Sequence, residues 1–194
     1  MIRLEVLGPH TLLLSSLCAK CPQGPAGCCK APPEVDWSDV GRIVAGGGRD
    51  FVLSKIATKD LIPTEKGLVI RRVKRREART DPMERKCVFH GATGCTIDTR
   101  LRPATCNYFL CEDTFVEGGE RKGEPSAVRA RQAHGALRAT YERWDAELAA
   151  RITEAFPEGP AWDAAFLDWL GEAFVTLEAT SGTALRGLHV QDDT

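Results

Sequence analysis

The chain has no run of the ~20 consecutive apolar residues that a membrane-spanning helix needs. Its apolar stretch near the start, Thr11 to Leu17, is approached through Glu5 and His10 and is followed by no A-x-A-like cleavage site. It therefore reads as part of the folded protein and not as a secretory leader. A lipoprotein reading of Cys18 meets the bulky Leu17 where a small residue belongs. Neither sign of charge predominates: the net charge is −1 with 27% charged residues, a field that neither gathers nor repels polyanions. No aromatic residue interleaves the basic stretch Arg71, Arg72, Lys74, Arg75, Arg76, Arg79, Arg85 and Lys86. That stretch reads as a strand edge guarded by charge, and nucleic acid is not expected as a partner. Cofactor signatures are absent as well. There is no dinucleotide fingerprint, no nucleophile elbow and no H-E-x-x-H, and the triplet Gly46-Gly47-Gly48 lacks the Lys-Ser/Thr of a P-loop, so it reads as a helix stop. Whether the chain is an enzyme is left open by its motifs.

What the chain does have is cysteine, in two clusters and nowhere else. Cys18, Cys21, Cys28 and Cys29 form the first block; Cys87, Cys95, Cys106 and Cys111 form the second. A chain of 194 residues can bury a core without covalent staples, so eight cysteines are better explained as metal ligands in a reducing cytoplasm than as a disulfide framework. Prolines and glycines break both blocks into loops. The two-residue spacing of Cys18 and Cys21 lets one tight turn aim both sulfurs at one ion, which is the geometry of zinc knuckles and of iron–sulfur sites. Cys28 and Cys29, if extended, would point to opposite faces, so that the pair serves two sites or only one of them is a ligand. The expected architecture is interlocked, one of this pair joining Cys18 and Cys21 and the other reaching the second block. His90 has ligand spacing from Cys87 but reads as an outer-shell or surface group, because an all-thiolate site needs no imidazole. Arg102-Pro103 reads as a rigid turn bringing a guanidinium near the thiolates, where it offsets their charge.

These residues resemble the cysteine-cluster family labelled YkgJ-like, a zinc- or iron-chelating domain. The resemblance runs through Cys18-x2-Cys21, Cys28-Cys29, Cys95-Thr-Ile97, Arg102-Pro103-x2-Cys106 and Tyr108-Phe109, and covers roughly residues 18 to 111. Six residues instead of two separate Cys21 from Cys28, and one extra residue precedes Arg102. The resemblance implies metal or cluster binding in the cytoplasm; some relatives carry the label of iron–sulfur oxidoreductase or flagellin lysine methylase. Between an iron–sulfur cluster and Zn2+, the reading leans to iron–sulfur.

The remaining segments set the fold class. Residues 3 to 17 read as a short strand or a turn of helix. Asp36 or Ser38 caps a helix presenting Val40, Ile43 and Val44, with Asp39 placed to complement its dipole. Phe51 to Ile56 form a short helix or strand ending near Pro63, and Gly67 to Arg76 a strand. Residues 112 to 120 read as an acidic turn. Leu137, Tyr141, Trp144, Leu148 and Ile152 recur at steps of three and four, giving a long amphipathic helix capped by Ser126 and ending at Phe156-Pro157, with Gly135 as a bend. Trp162, Phe166, Leu170, Phe174 and Leu177 line a second helix, packed antiparallel on the first, and the tail after Ser181 is expected to fray. The fold expected is α+β, mainly α: an irregular cysteine-rich metal-binding region with short strands over residues 1–120 and a C-terminal antiparallel helical hairpin over 121–194, packed as one compact domain. The functions in view are a metal- or cluster-binding protein with a redox or iron-handling role, a metal-dependent modifying enzyme of methylase type, and an adaptor whose zinc is structural and whose hairpin binds a protein partner.

Overall fold

The computed structural model of the chain describes residues 2–21, 24, 26–74 and 85–181. It is α+β and mainly α, with small antiparallel sheets at the N-terminal side and two long helices at the other. Among the described residues no helix is long and apolar enough to cross a membrane.

The chain opens with a hairpin, β1 (Ile2–Glu5) and β2 (Leu12–Ser15), in which Leu4 faces Leu13. Strand geometry prevails there because Ile2 and Leu13 turn to the core while Arg3 and Leu14 turn outward, the two-residue period of a half-buried sheet. Two 3-10 turns, Ser16–Lys20 and Gly27–Lys30, follow. Then β3 (Glu34–Asp36) leads into α1 (Trp37–Ala45) and α2 (Arg49–Ala57), with Gly46 capping α1 and Gly47 left-handed at φ 86°. β4 (Leu61–Thr64) and β5 (Gly67–Ile70) complete a sheet of order β3-β5-β4. The segment over residues 51–56 is helix and ends at Ala57, before Pro63, which lies inside the next strand, β4, opposite Leu68; β4 is an edge strand, where a missing N–H leaves no ladder bond unmade. β6 (Arg72–Lys74) pairs with β7 (Arg85–Cys87), and β8 (His90–Gly91) with β9 (Gly94–Cys95). Arg75, Arg76 and Arg79 lie outside the described residues, as does the tail after Ser181.

α3 (Ala104–Tyr108) and α4 (Glu112–Glu117) come next, so the expected acidic turn is largely helix, with Glu112 and Asp113 in the favourable first turn. α5 (Pro125–Ala155) runs unbroken through Gly135. Its N-cap is Glu124, two residues before the expected Ser126 cap, with Pro125 at the first helical position. α6 (Ala164–Ser181) returns antiparallel, with Phe156 beside Phe166 and Trp144 beside Phe174.

The hairpin is not the main helical interface, however. α6 packs chiefly on α1, more than a hundred residues earlier, and only secondarily on α5. Two glycines permit the approach. A Cβ on Gly41 would lie 2.8 Å from Cβ of Phe174, and one on Gly171 would lie 2.9 Å from Cγ1 of Val44. The cap of α1 is likewise tertiary. Asp36 occupies the N-cap but makes no side-chain capping bond; instead Oδ1 of Asp145 on α5 accepts from the Ser38 N–H at 3.3 Å. One continuous apolar core, from Ile2 through Trp37, Phe89, Tyr108, Trp144 and Phe174 to Leu177, links both expected regions.

Candidate metal centre

The first block rides on the two 3-10 turns. Cys18 sits in Ser16–Lys20 with Cys21 just after it, and Cys28 and Cys29 sit in Gly27–Lys30. Gly27 is left-handed at φ 49°, and a Cβ there would lie 3.3 Å from Sγ of Cys21, so glycine lets the second turn fold back onto the first. Cys28 and Cys29 are not extended. In a turn of three residues per revolution their side chains lie ~120° apart instead of opposed. Hydrogen bonding from the Cys29 thiol holds Cys28 below the usual thiol range, and the same coupling, reinforced by burial, pushes Cys29 up.

The second block meets the first where the turn Gly27–Lys30 packs on β7, which ends at Cys87. Cys29 is charge-coupled to Cys87 and Cys106. Burial raises the Cys87 thiol, while the backbone N–H groups of Phe89 and His90 donate to its sulfur and Cys95 adds repulsion. Cys106, on α3, is pushed up to about 12 by burial and then by the charges of Asp39, Cys95, Cys87 and Cys28. Its residue surface is partly open to solvent although protein surrounds the thiol on most sides.

Cys111 leaves its own block. Its Sγ lies 3.1 Å from Oγ1 of Thr114, and the same hydroxyl hydrogen-bonds the Cys18 thiol. Burial, followed by the charges of Cys28, Cys111 and Cys21, raises Cys18. Charge coupling thus links thiols of the first block with thiols of the second. As placed, no three Cys, His, Asp or Glu side chains among the described residues stand close enough to hold a single ion, whose tetrahedral sulfur ligands would lie ~4 Å apart.

His90 faces Lys86, whose Nζ is 3.4 Å from its Nδ1. Arg102 braces its own loop by donating from Nη2 to the Ile97 carbonyl at 3.1 Å. Nε of Arg102 and Oδ1 of Asn107, flanking Cys106 in sequence, are buried with no hydrogen-bond partner among the described residues.

A positioning device that sequence reasoning missed lies behind this region. Arg42 of α1 is 1% exposed. Its guanidinium donates to the carbonyls of Arg100 and Arg102, meets Nδ1 of His10 at 3.1 Å, and pairs with Asp39 at 3.1 Å. Oδ1 of Asp39 also accepts the Ala104 N–H at 2.7 Å, fixing the start of α3. Asp39, in the first turn of α1 as expected, thus also serves the helix that carries Cys106. Burial raises its carboxyl, and Arg42 and the Ala104 N–H offset only part of that. The available signal was an Asp and an Arg three positions apart on a helix otherwise apolar on that face. Beside α3, a cavity of about 280 Å³ is lined by Asp36, Asp39, Thr105, Tyr108, His134 and Tyr141, among others.

No family model, no curated protein and no solved structure matches this chain.

Proposed function

We propose that the chain is a cytoplasmic protein that binds metal or an iron–sulfur cluster through cysteine alone, with a redox or iron-handling role, as its resemblance to the YkgJ-like cysteine-cluster family implies. The observation that carries this reading is that the two distant cysteine blocks meet in the fold. The turn Gly27–Lys30 lies against β7, and Thr114 stands between Cys18 and Cys111. Thiolates brought together repel one another, and a divalent ion or cationic cluster is what reverses that cost. The donor chemistry fits Zn2+ or iron–sulfur, both of which favour soft thiolate ligands. Backbone N–H groups already donate to the Cys87 sulfur, and the unpartnered Nε–H of Arg102 is a further donor suited to anionic sulfur. A metal-dependent modifying enzyme is the second reading, and the cavity beside α3 favours it, since Thr105 and Tyr108 of the helix that carries Cys106 line it.

The test is anaerobic purification followed by metal and acid-labile sulfide analysis, visible spectroscopy and thiol titration. The reading expects bound zinc or iron, with most thiols protected until chelator is added. Metal-free protein with eight freely reactive thiols after growth with ample iron and zinc would overturn it.

A further inference from the structure

We infer that the cavity beside α3 binds a small organic cation carrying a primary ammonium group, held by the carboxylates of Asp36 and Asp39 and walled by Tyr108, Phe109, His134 and Tyr141. The inference stands on the cavity and is independent of whether the thiols bind metal.

The polar end of the cavity carries negative charge without matching donors. Asp39 is 3% exposed, and its hydrogen bonds, from Nη2 of Arg42 and from the Ala104 N–H, both fall on Oδ1. Oδ2, the other oxygen of this cavity-lining carboxylate, is left with no donor among the described residues. Asp36 is half-buried and makes no side-chain capping bond. The charged groups that face it are carboxylates, Asp145 of α5, Asp39 of α1 and Glu34 of β3, and together with burial they push it up to about 6. Arg138 also lines the cavity, but it is paired with Glu142 at 2.7 Å. Burial, Arg131 and Arg138 hold the His134 imidazole below its usual range, so it adds no charge at neutral pH. Carboxylates sheltered in this way are costly until a cation joins them.

The walls select the kind of cation. Tyr141 donates its hydroxyl to the Pro9 carbonyl at 2.6 Å, and the Tyr108 hydroxyl meets Oγ1 of Thr105 at 3.3 Å, so both tyrosines offer the cavity their rings. Tyr108 lies 5.9 Å from Tyr141 and 5.8 Å from His134, and Phe109, 6.3 Å from His134, is 41% exposed. Aromatic rings attract an alkylammonium. A bare metal ion is not what this site fits, since no three Asp, Glu, His or Cys side chains among the described residues stand close enough to hold one. Three N–H donors suit unpartnered carboxylate oxygens, and a quaternary ammonium has none to give. A volume of about 280 Å³ equals that of roughly nine waters and admits a small amine.

Isothermal titration of the full-length protein with three probes of equal size, n-butylamine, tetramethylammonium and 1-butanol, decides the matter. At pH 8 n-butylamine should bind with a Kd of about 1 mM or tighter, tetramethylammonium about tenfold more weakly, and 1-butanol not measurably. The amine stays charged while Asp36 takes up a proton, so affinity should fall about tenfold between pH 8 and pH 5. Asp36→Asn should weaken binding about tenfold at pH 8 and flatten that dependence. Phe109→Ala, at an exposed position where folding is least at risk, should weaken it about two- to fivefold. No saturable binding of n-butylamine up to ~10 mM, equal affinity for either other probe, or unchanged affinity in folded Asp36→Asn overturns the inference. Metal content and thiol titration of the same samples report separately on the thiols, so the two readings fail independently.

Discussion

Arg42→Met is the most informative single change, because it removes the one cation from a buried polar cluster without opening a large cavity. Arg42 is 1% and Asp39 3% exposed, so the substitution strands a buried carboxylate and two loop carbonyls, those of Arg100 and Arg102. Breaking a buried pair by removing one partner costs about 3–5 kcal/mol. For a chain of this size that lowers the melting temperature by roughly 6–20 °C. Asp39→Asn with Arg42→Met removes the charge as well as its partner and keeps an acceptor for the Ala104 N–H, so the double variant should recover about 1–3 kcal/mol relative to the sum of the singles. The pH dependence has a definite sign. The Asp39 carboxyl is already raised by burial, and losing Arg42 raises it further. A group raised in the folded state contributes stability below its unfolded pKa and loses it as pH rises, so the deficit of Arg42→Met should shrink toward acid pH. Urea denaturation at pH 5 and pH 8 measures all three quantities, and hydrogen exchange should show Ala104 to Tyr108 losing protection. A cost under about 1 kcal/mol, or strictly additive costs, would refute the idea that this pair anchors the helix carrying Cys106.

Two glycines in helices should respond oppositely to alanine. Gly41→Ala drives a methyl to 2.8 Å from Phe174 and should destabilise by about 1–3 kcal/mol, whereas Gly135 has nothing within 4 Å of its would-be Cβ and Gly135→Ala should stabilise by about 0.5–1 kcal/mol. Urea midpoints decide this; equal effects would mean that α1 and α6 do not touch through Gly41. Burial, with Asp145, Asp39 and Glu34 nearby, pushes the Asp36 carboxyl up to about 6, so the folded protein binds the extra proton and should lose stability as pH rises from about 4 to 6. Asp36→Asn keeps an N-cap residue and should flatten that decline; an unchanged slope would place the proton elsewhere.

The periodic segments of this chain declared themselves because period reports which face is buried. Leu137, Tyr141, Trp144, Leu148 and Ile152 marked α5, and Phe166, Leu170, Phe174 and Leu177 marked α6, whatever they were to meet. Proline and glycine likewise placed the first block of thiols on turns. Period is silent about the partner of a face, and tertiary structure decided that. α6 settled on α1 because Gly41 and Gly171 remove the side chains that would hold the two backbones apart, a match between residues 130 positions distant. Asp145 capped α1 in place of Asp36 for the same reason: an orphan N–H takes whichever acceptor the packed helix delivers. Sequence proximity put Cys111 with Cys106, but α3 and α4 turn them to different neighbours, and Thr114 holds Cys111 beside Cys18. The number and chemistry of the sulfurs were legible in the chain, whereas which sulfurs become neighbours depends on where the helices between them carry each one.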